Sequence, residues 1–160
     1  MMENTRKETY ESILSFFRKT LLIKPRLPLA TIYSELVNTL KNSFSYMDWV
    51  GFYLVDDSKE NLILGPYVGN DACEIININK GVCGKAYKEV STQFVKDVEK
   101  IPYHIACSSS TRSEVVVPLS FNGYCLGVLD IDSDSPDAFT ADDVKYLKSL
   151  CYLILKEYVK

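Results

Sequence analysis

Three of the five cysteines, Cys73, Cys83 and Cys107, sit in small-residue or glycine-flanked turns, within Ala72-Cys73, Gly81-Val82-Cys83-Gly84 and His104-Ile105-Ala106-Cys107. Exposed thiols in polar loops are the material of redox relays, because the thiolate is the attacking species and exposure lets a second sulfur reach it. The other two fall on apolar patterns. Cys125 shares strand parity with Leu129 and Ile131, and Cys151 lies on the stripe of a C-terminal helix, so both read as inert core thiols. Zinc is the weakest reading of the loop thiols. Structural zinc sites use closely spaced Cys-x2-4-Cys pairs, and this chain offers only His104-x-x-Cys107, with nine residues between Cys73 and Cys83.

A second constellation is acidic. Alternation along a strand points Val128, Asp130 and Asp132 to one face, which sets two carboxylates about 7 Å apart. Glu114, at the start of the partner strand, adds a third. The plain reading is a solvated sheet face. The chemical reading is a site for the ammonium group of a small amine, with mutual repulsion raising the pKa of at least one acid. A carboxyl kept protonated in this way can also act as a general acid. His104, the sole histidine, is either simply hydrogen-bonded in place or a partner for a neighbouring thiolate.

These groups need elements to position them. Tyr10, Ile13, Leu14, Phe17 and Leu21 recur at helical spacing, Pro25 and Pro28 interrupt, and Leu29, Ile32, Tyr33, Leu36, Val37 and Leu40 repeat the pattern, which predicts two amphipathic helices. Beyond Asp48 the period shortens to that of strands. Trp49–Val55 and Leu62–Leu64 flank a polar segment as in a hairpin, and Glu114–Leu119 and Tyr124–Asp132 are joined across Asn122-Gly123, the signature of a type I′ turn. Thr140 followed by Asp143 reads as a capping box opening a last helix. In the irregular middle, Lys85–Val90 has helical character and Phe94–Val95 reads as a short strand. The fold class is α+β: a central, largely antiparallel sheet, with the N- and C-terminal helices on one face and the thiol-bearing loops on the other.

Composition bounds the function. A chain of 160 residues fits one domain, 1–160, around one core. Its 47% apolar and 24% charged residues are those of a globular domain rather than a disordered chain. The formal charge of −3, without a basic cluster, argues against nucleic acid. Arg6, Lys7, Glu8, Glu11, Arg18 and Lys19 break up any N-terminal leader or membrane span. A cytoplasmic protein is expected, where thiols are held reduced and a disulfide that forms is transient and catalytic.

Taken in order, Trp49-Val50-Gly51-Phe52-Tyr53, Leu64-Gly65-Pro66, Ala72-Cys73, Gly81-Val82-Cys83-Gly84, His104-Ile105-Ala106-Cys107, Arg112-Ser113-Glu114 and Gly127-Val128-Leu129-Asp130-Ile131-Asp132-Ser133 resemble the free methionine-R-sulfoxide reductases, which are single GAF domains. The resemblance runs from about Trp49 to Asp143. It implies reduction of free L-methionine-R-sulfoxide, with Cys107 as nucleophile, Cys73 as main resolving thiol and Cys83 as an additional or alternative disulfide partner. It also implies Glu114, Asp130 and Asp132 as substrate-binding and catalytic acids, and Trp49 and Tyr53 as walls of the cavity for the methyl group. Thioredoxin is the implied reductant, no metal or organic cofactor is required, and a homodimer is among the assemblies it allows.

Two positions depart from the family pattern. Tyr103 stands where a glycine usually precedes His-Ile-Ala-Cys, and Ser108 stands where an aspartate follows it. A glycine there with positive φ would make Tyr103 a source of strain, and loss of an acid beside Cys107 favours its thiolate. Two other functions compete. A GAF sensory module would bind a small ligand without turning it over, but is expected with an output domain and has no use for three loop thiols. A thiol redox sensor would keep the cysteines without needing Glu114, Asp130 and Asp132 together.

Overall fold

The computed structural model describes residues 3–159. Helices α1 (Glu3–Ile23) and α2 (Leu29–Ser43) open the chain, and the periodic apolar positions from Tyr10 to Leu21 and from Ile32 to Leu40 are all buried. Pro28 sits at the N-cap of α2 with φ −56°. There its missing N–H costs the helix nothing.

Six strands follow: β1 (Trp49–Val55), β2 (Asn61–Val68), β3 (Ile75–Asn77), β4 (Gln93–Val95), β5 (Ser113–Phe121) and β6 (Tyr124–Ser133). They form one sheet in the order β3-β2-β1-β6-β5-β4 with every pairing antiparallel. The β5–β6 turn has Asn122 at φ 51° and Gly123 at φ 80°, the backbone that a type I′ hairpin demands. Helices α3 (Gly81–Glu89) and α4 (Ala141–Tyr158) complete the chain, and α4 opens on the Thr140–Asp143 capping box.

The sheet has two different faces. Val50, Phe52, Val115, Val117, Leu119, Leu129 and Ile131 pack under α1, α2 and α4 in the larger core. Trp49, Tyr53, Val116 and Val128 point the other way, into a smaller core shared with α3 and the loops. This is the expected α+β layering, except that one helix, α3, joins the loop face. It begins at Gly81 rather than Lys85, so Cys83 is helical.

Asp143, fully buried, holds the helical layer together. It accepts hydrogen bonds from Tyr10 Oη at 2.5 Å, Tyr46 Oη at 2.6 Å, Arg6 Nη1 at 2.8 Å and the Thr140 N–H at 2.8 Å. A buried carboxylate is tolerable only when its lone pairs are matched in this way.

One strand-parity expectation is overturned. The β5–β6 register slips by one residue between Pro118 and Ser120, close to Gly127 at φ 147°. A bulge of this kind exchanges the two faces beyond it. Leu126 therefore packs against the helical core in place of Cys125. Cys125 is only partly buried, its Sγ donating to the Gly127 carbonyl at 3.5 Å.

Candidate active site

The sheet supplies the rigid part of the site. Trp49, Gly51 and Tyr53 alternate onto the loop face of β1, where the Trp49 ring stacks between Tyr53 (centroids 5.9 Å apart) and Tyr67 (5.6 Å). Gly51 makes room for the indole, since a Cβ there would lie 2.7 Å from Trp49 Cζ3. The same face carries the acids. Gly51 pairs with Asp130, Trp49 with Asp132, and Asp132 in turn with Glu114, so adjacent rungs of three strands bring aromatic wall and carboxylates together.

Glu114 is 4% and Asp130 6% exposed. Asp132 is more open as a residue, but its Oδ1 is sealed. Glu114 Oε1, Asp130 Oδ1 and Asp132 Oδ1 are all buried without a hydrogen-bond donor. Desolvation first, and the Asp130 charge second, push the carboxyl groups of Glu114 and Asp132 well above the usual carboxylate range. Both effects favour the protonated form of these two acids.

Loops and α3 close the other side. Cys83, buried on α3, lines the cavity with these acids, and burial together with the Asp130 charge keeps its thiol protonated. Cys73 and Cys107 are joined in a disulfide with their Cα atoms 5.2 Å apart, which ties the loop after β2 to the loop before β5. Tyr53 Oη donates to the Cys73 carbonyl at 2.9 Å, anchoring that end to the sheet. Of the two sulfur-bearing residues, Cys107 lines the cavity. With the disulfide closed, the enclosed space is about 30 Å³, room for a water rather than an amino acid.

All the site residues read from the sequence thus meet: Trp49, Tyr53, Cys83, Cys107, Glu114, Asp130 and Asp132 around one cavity, and Cys73 bonded at its edge. His104 also lines it, with Nε2 3.7 Å from Glu114 Oε1. Burial lowers its pKa and raises that of Glu114, and both shifts favour the uncharged forms over an ion pair. Asp71, Ile76, Ile105 and Thr111 are also in the wall and were not assigned to the site from sequence. Adjacency to Cys107 was the only signal for Ile105, which packs on Gly81 so closely that a Cβ there would lie 2.9 Å from Ile105 Cδ1.

The two departures have structural outcomes. Tyr103 is not among the residues with positive φ, so the expected strain is absent. Its ring instead receives the Lys85 ammonium 4.6 Å from its centroid. Ser108 hydrogen-bonds Ser110, Oγ to Oγ, at 2.9 Å.

The GAF domain family model matches residues 27–155. A free methionine-R-sulfoxide reductase of Saccharomyces cerevisiae is 48% identical over 115 residues, covering 71% of this chain and 64% of the yeast protein. That of Escherichia coli is 41% identical over 120 residues, covering 73% and 72%. This chain belongs to the free methionine-R-sulfoxide reductases of the GAF family. The crystal structure of the Neisseria meningitidis free methionine-R-sulfoxide reductase, solved with its substrate, superposes with a TM-score of 0.88 at 37% identity, over 96% of this chain and 90% of that one. Among the described residues, no helix is long and apolar enough to cross a membrane.

Proposed function

We propose that this chain, as one domain over residues 1–160, reduces free L-methionine-R-sulfoxide to L-methionine through a Cys107–Cys73 relay recycled by thioredoxin. The Cys107 thiolate attacks the sulfoxide sulfur. A carboxyl of the Glu114–Asp130–Asp132 group protonates the oxygen, methionine leaves, and Cys107 is left as the sulfenic acid. The Cys73 thiol condenses with it, expelling water and forming the disulfide. Thiol exchange with thioredoxin then returns both cysteines to thiols and oxidises the donor. Cys83, in the same cavity, is the reserve partner. Such a cycle suits the reducing cytoplasm.

The observation that carries this reading is the Cys73–Cys107 disulfide at the edge of a cavity lined by buried acids, two of them with raised pKa. The small size of that cavity fits a post-reaction state, with substrate admitted once the disulfide opens. Trp49 and Tyr53 offer the apolar wall for the methyl group, and the acids offer proton donors to the oxygen and a counter-charge to the ammonium.

The test is methionine release from separate epimers with thioredoxin present. The free R epimer is expected to turn over, with the S epimer and blocked peptide sulfoxide much poorer. Equal rates on the blocked peptide would refute the ammonium contact, and no release from the free R epimer would refute the activity.

A further inference from the structure

We propose that the cavity floor is a zinc site formed by Cys83, Glu114 and Asp130. This goes beyond the reductase reading, whose residues it partly shares. One ligand atom from each of the three residues lies within 4.8 Å of the others, and all three residues are buried. Tetrahedral zinc, with bonds of about 2.0 to 2.3 Å, holds its ligands roughly 3.5 Å apart, so small side-chain rotations close the set.

Two further observations point to a cation. Glu114 Oε1 and Asp130 Oδ1 are sealed from solvent with no donor, and such groups demand a counter-charge or a proton. No lysine or arginine lines the cavity, so nothing in the wall supplies that charge. His104 Nε2 lies 3.7 Å from Glu114 Oε1 but outside the three-residue set, so the fourth position of a tetrahedral ion is left to water.

The ligand chemistry selects the ion. One thiolate and two carboxylates suit zinc, whereas calcium and magnesium want sets made only of oxygen. The space of about 30 Å³ admits an ion in the disulfide form, where the amino acid is shut out. Trp49, Asp71, Ser108 and Thr111 also line an adjoining surface groove, which provides an entry path. Binding displaces to solvent whatever protons the three ligands carry and changes no oxidation state.

The site is tested on the oxidised protein, whose remaining thiols are Cys83, Cys125 and Cys151. Titration with cadmium chloride, followed by its thiolate charge-transfer absorption in the ultraviolet, is expected to saturate at one equivalent. Zinc should then displace the cadmium, and calcium should not. Cys83→Ser should abolish the absorption, Glu114→Gln should weaken binding at least tenfold, and Cys125→Ser should leave both intact. No absorption, absorption surviving Cys83→Ser or vanishing in Cys125→Ser, or metal uptake confined to reduced protein would each overturn the proposal. If Cys83→Ser does not fold by circular dichroism, Glu114→Gln decides, and unchanged affinity there overturns it. Turnover of chelator-treated enzyme on the free R sulfoxide is measured separately, so loss of the metal site leaves the reductase reading standing.

Discussion

Glu114 and Asp132 face one another in direct register across the β5–β6 ladder, with Asp130 two residues along on the same face. Like charges placed directly opposite weaken a sheet, and sealing them from solvent compounds the penalty. Burial and repulsion favour the protonated forms of Glu114 and Asp132, which relieves that penalty and suits the proton donor of the proposed reaction.

The first prediction follows from proton linkage. Burial raises Glu114 and Asp132 above their unfolded values in the folded state, so their contribution to stability is complete below about pH 4, the unfolded carboxylate range. It is lost as pH rises through the raised folded values. Glu114→Gln and Asp132→Asn should therefore flatten the decline in urea midpoint between pH 5 and pH 9, while turnover falls about 100-fold or more. An unaltered slope in both variants would contradict the assignment.

The thiols should divide by position. Cys107→Ser is expected to abolish methionine release, whereas Cys73→Ser should release about one equivalent per enzyme and then stall, because the disulfide that thioredoxin reads cannot form. Mass spectrometry of the stalled enzyme should find Cys107 oxidised or paired with Cys83. Thioredoxin-dependent turnover surviving in Cys107→Ser would show that the nucleophile lies elsewhere.

Cys125→Ser and Cys151→Ala should retain turnover. Burial pushes the Cys151 thiol up to about 12, so it is unreactive, and its truncation should cost ~1 to 3 kcal/mol of stability. Loss of activity without loss of fold in either variant would count against the assignment.

Gly51→Ala would drive a methyl into the Trp49 ring and toward Tyr67 Cβ, 2.7 Å away. Displacing the indole should raise KM about tenfold with a smaller effect on the reaction of enzyme-bound substrate, and overpacking should cost ~1 to 3 kcal/mol. Steady-state kinetics and thermal melts separate the two, and an unchanged KM would remove Trp49 from the substrate wall.

Asp143→Ala tests the opposite face. Removing the shared acceptor strands the buried Tyr10 hydroxyl, Arg6 and the α4 N-terminus, with an expected loss of about 3 to 5 kcal/mol by urea denaturation. Turnover per folded molecule should be unchanged, since the sheet lies between this cluster and the site.

Much of this was legible in the chain because it is periodic or local. The helical stripes, the Asn122-Gly123 turn, the capping box and the alternation that gathers Asp130 and Asp132 depend on near neighbours in sequence. Cys125 was misplaced for a reason period alone cannot supply: Gly127 sits against Tyr53, and a Cβ there would fall on the Tyr53 carbonyl. This close approach between strands, in a different part of the chain, accompanies the bulge. β2 looked short because Pro66 falls where its register slips against β1. The early start of α3 was hidden by its two glycines, poor helix formers. Gly84 earns its place because a Cβ there would lie 2.6 Å from the Ile78 carbonyl oxygen.

The bond between Cys73 and Cys107 spans 34 positions and encloses β3, α3 and β4. By chain-entropy reckoning, a link of that span disfavours the unfolded ensemble by about 4 kcal/mol. In the proposed relay the molecule alternates, once per catalytic cycle, between a looped chain and a linear one. The reduced form awaiting substrate is the more vulnerable to proteases, and the spent form awaiting its donor is the more durable. On that relay, a shortage of reducing power leaves the protein in the state that survives longest.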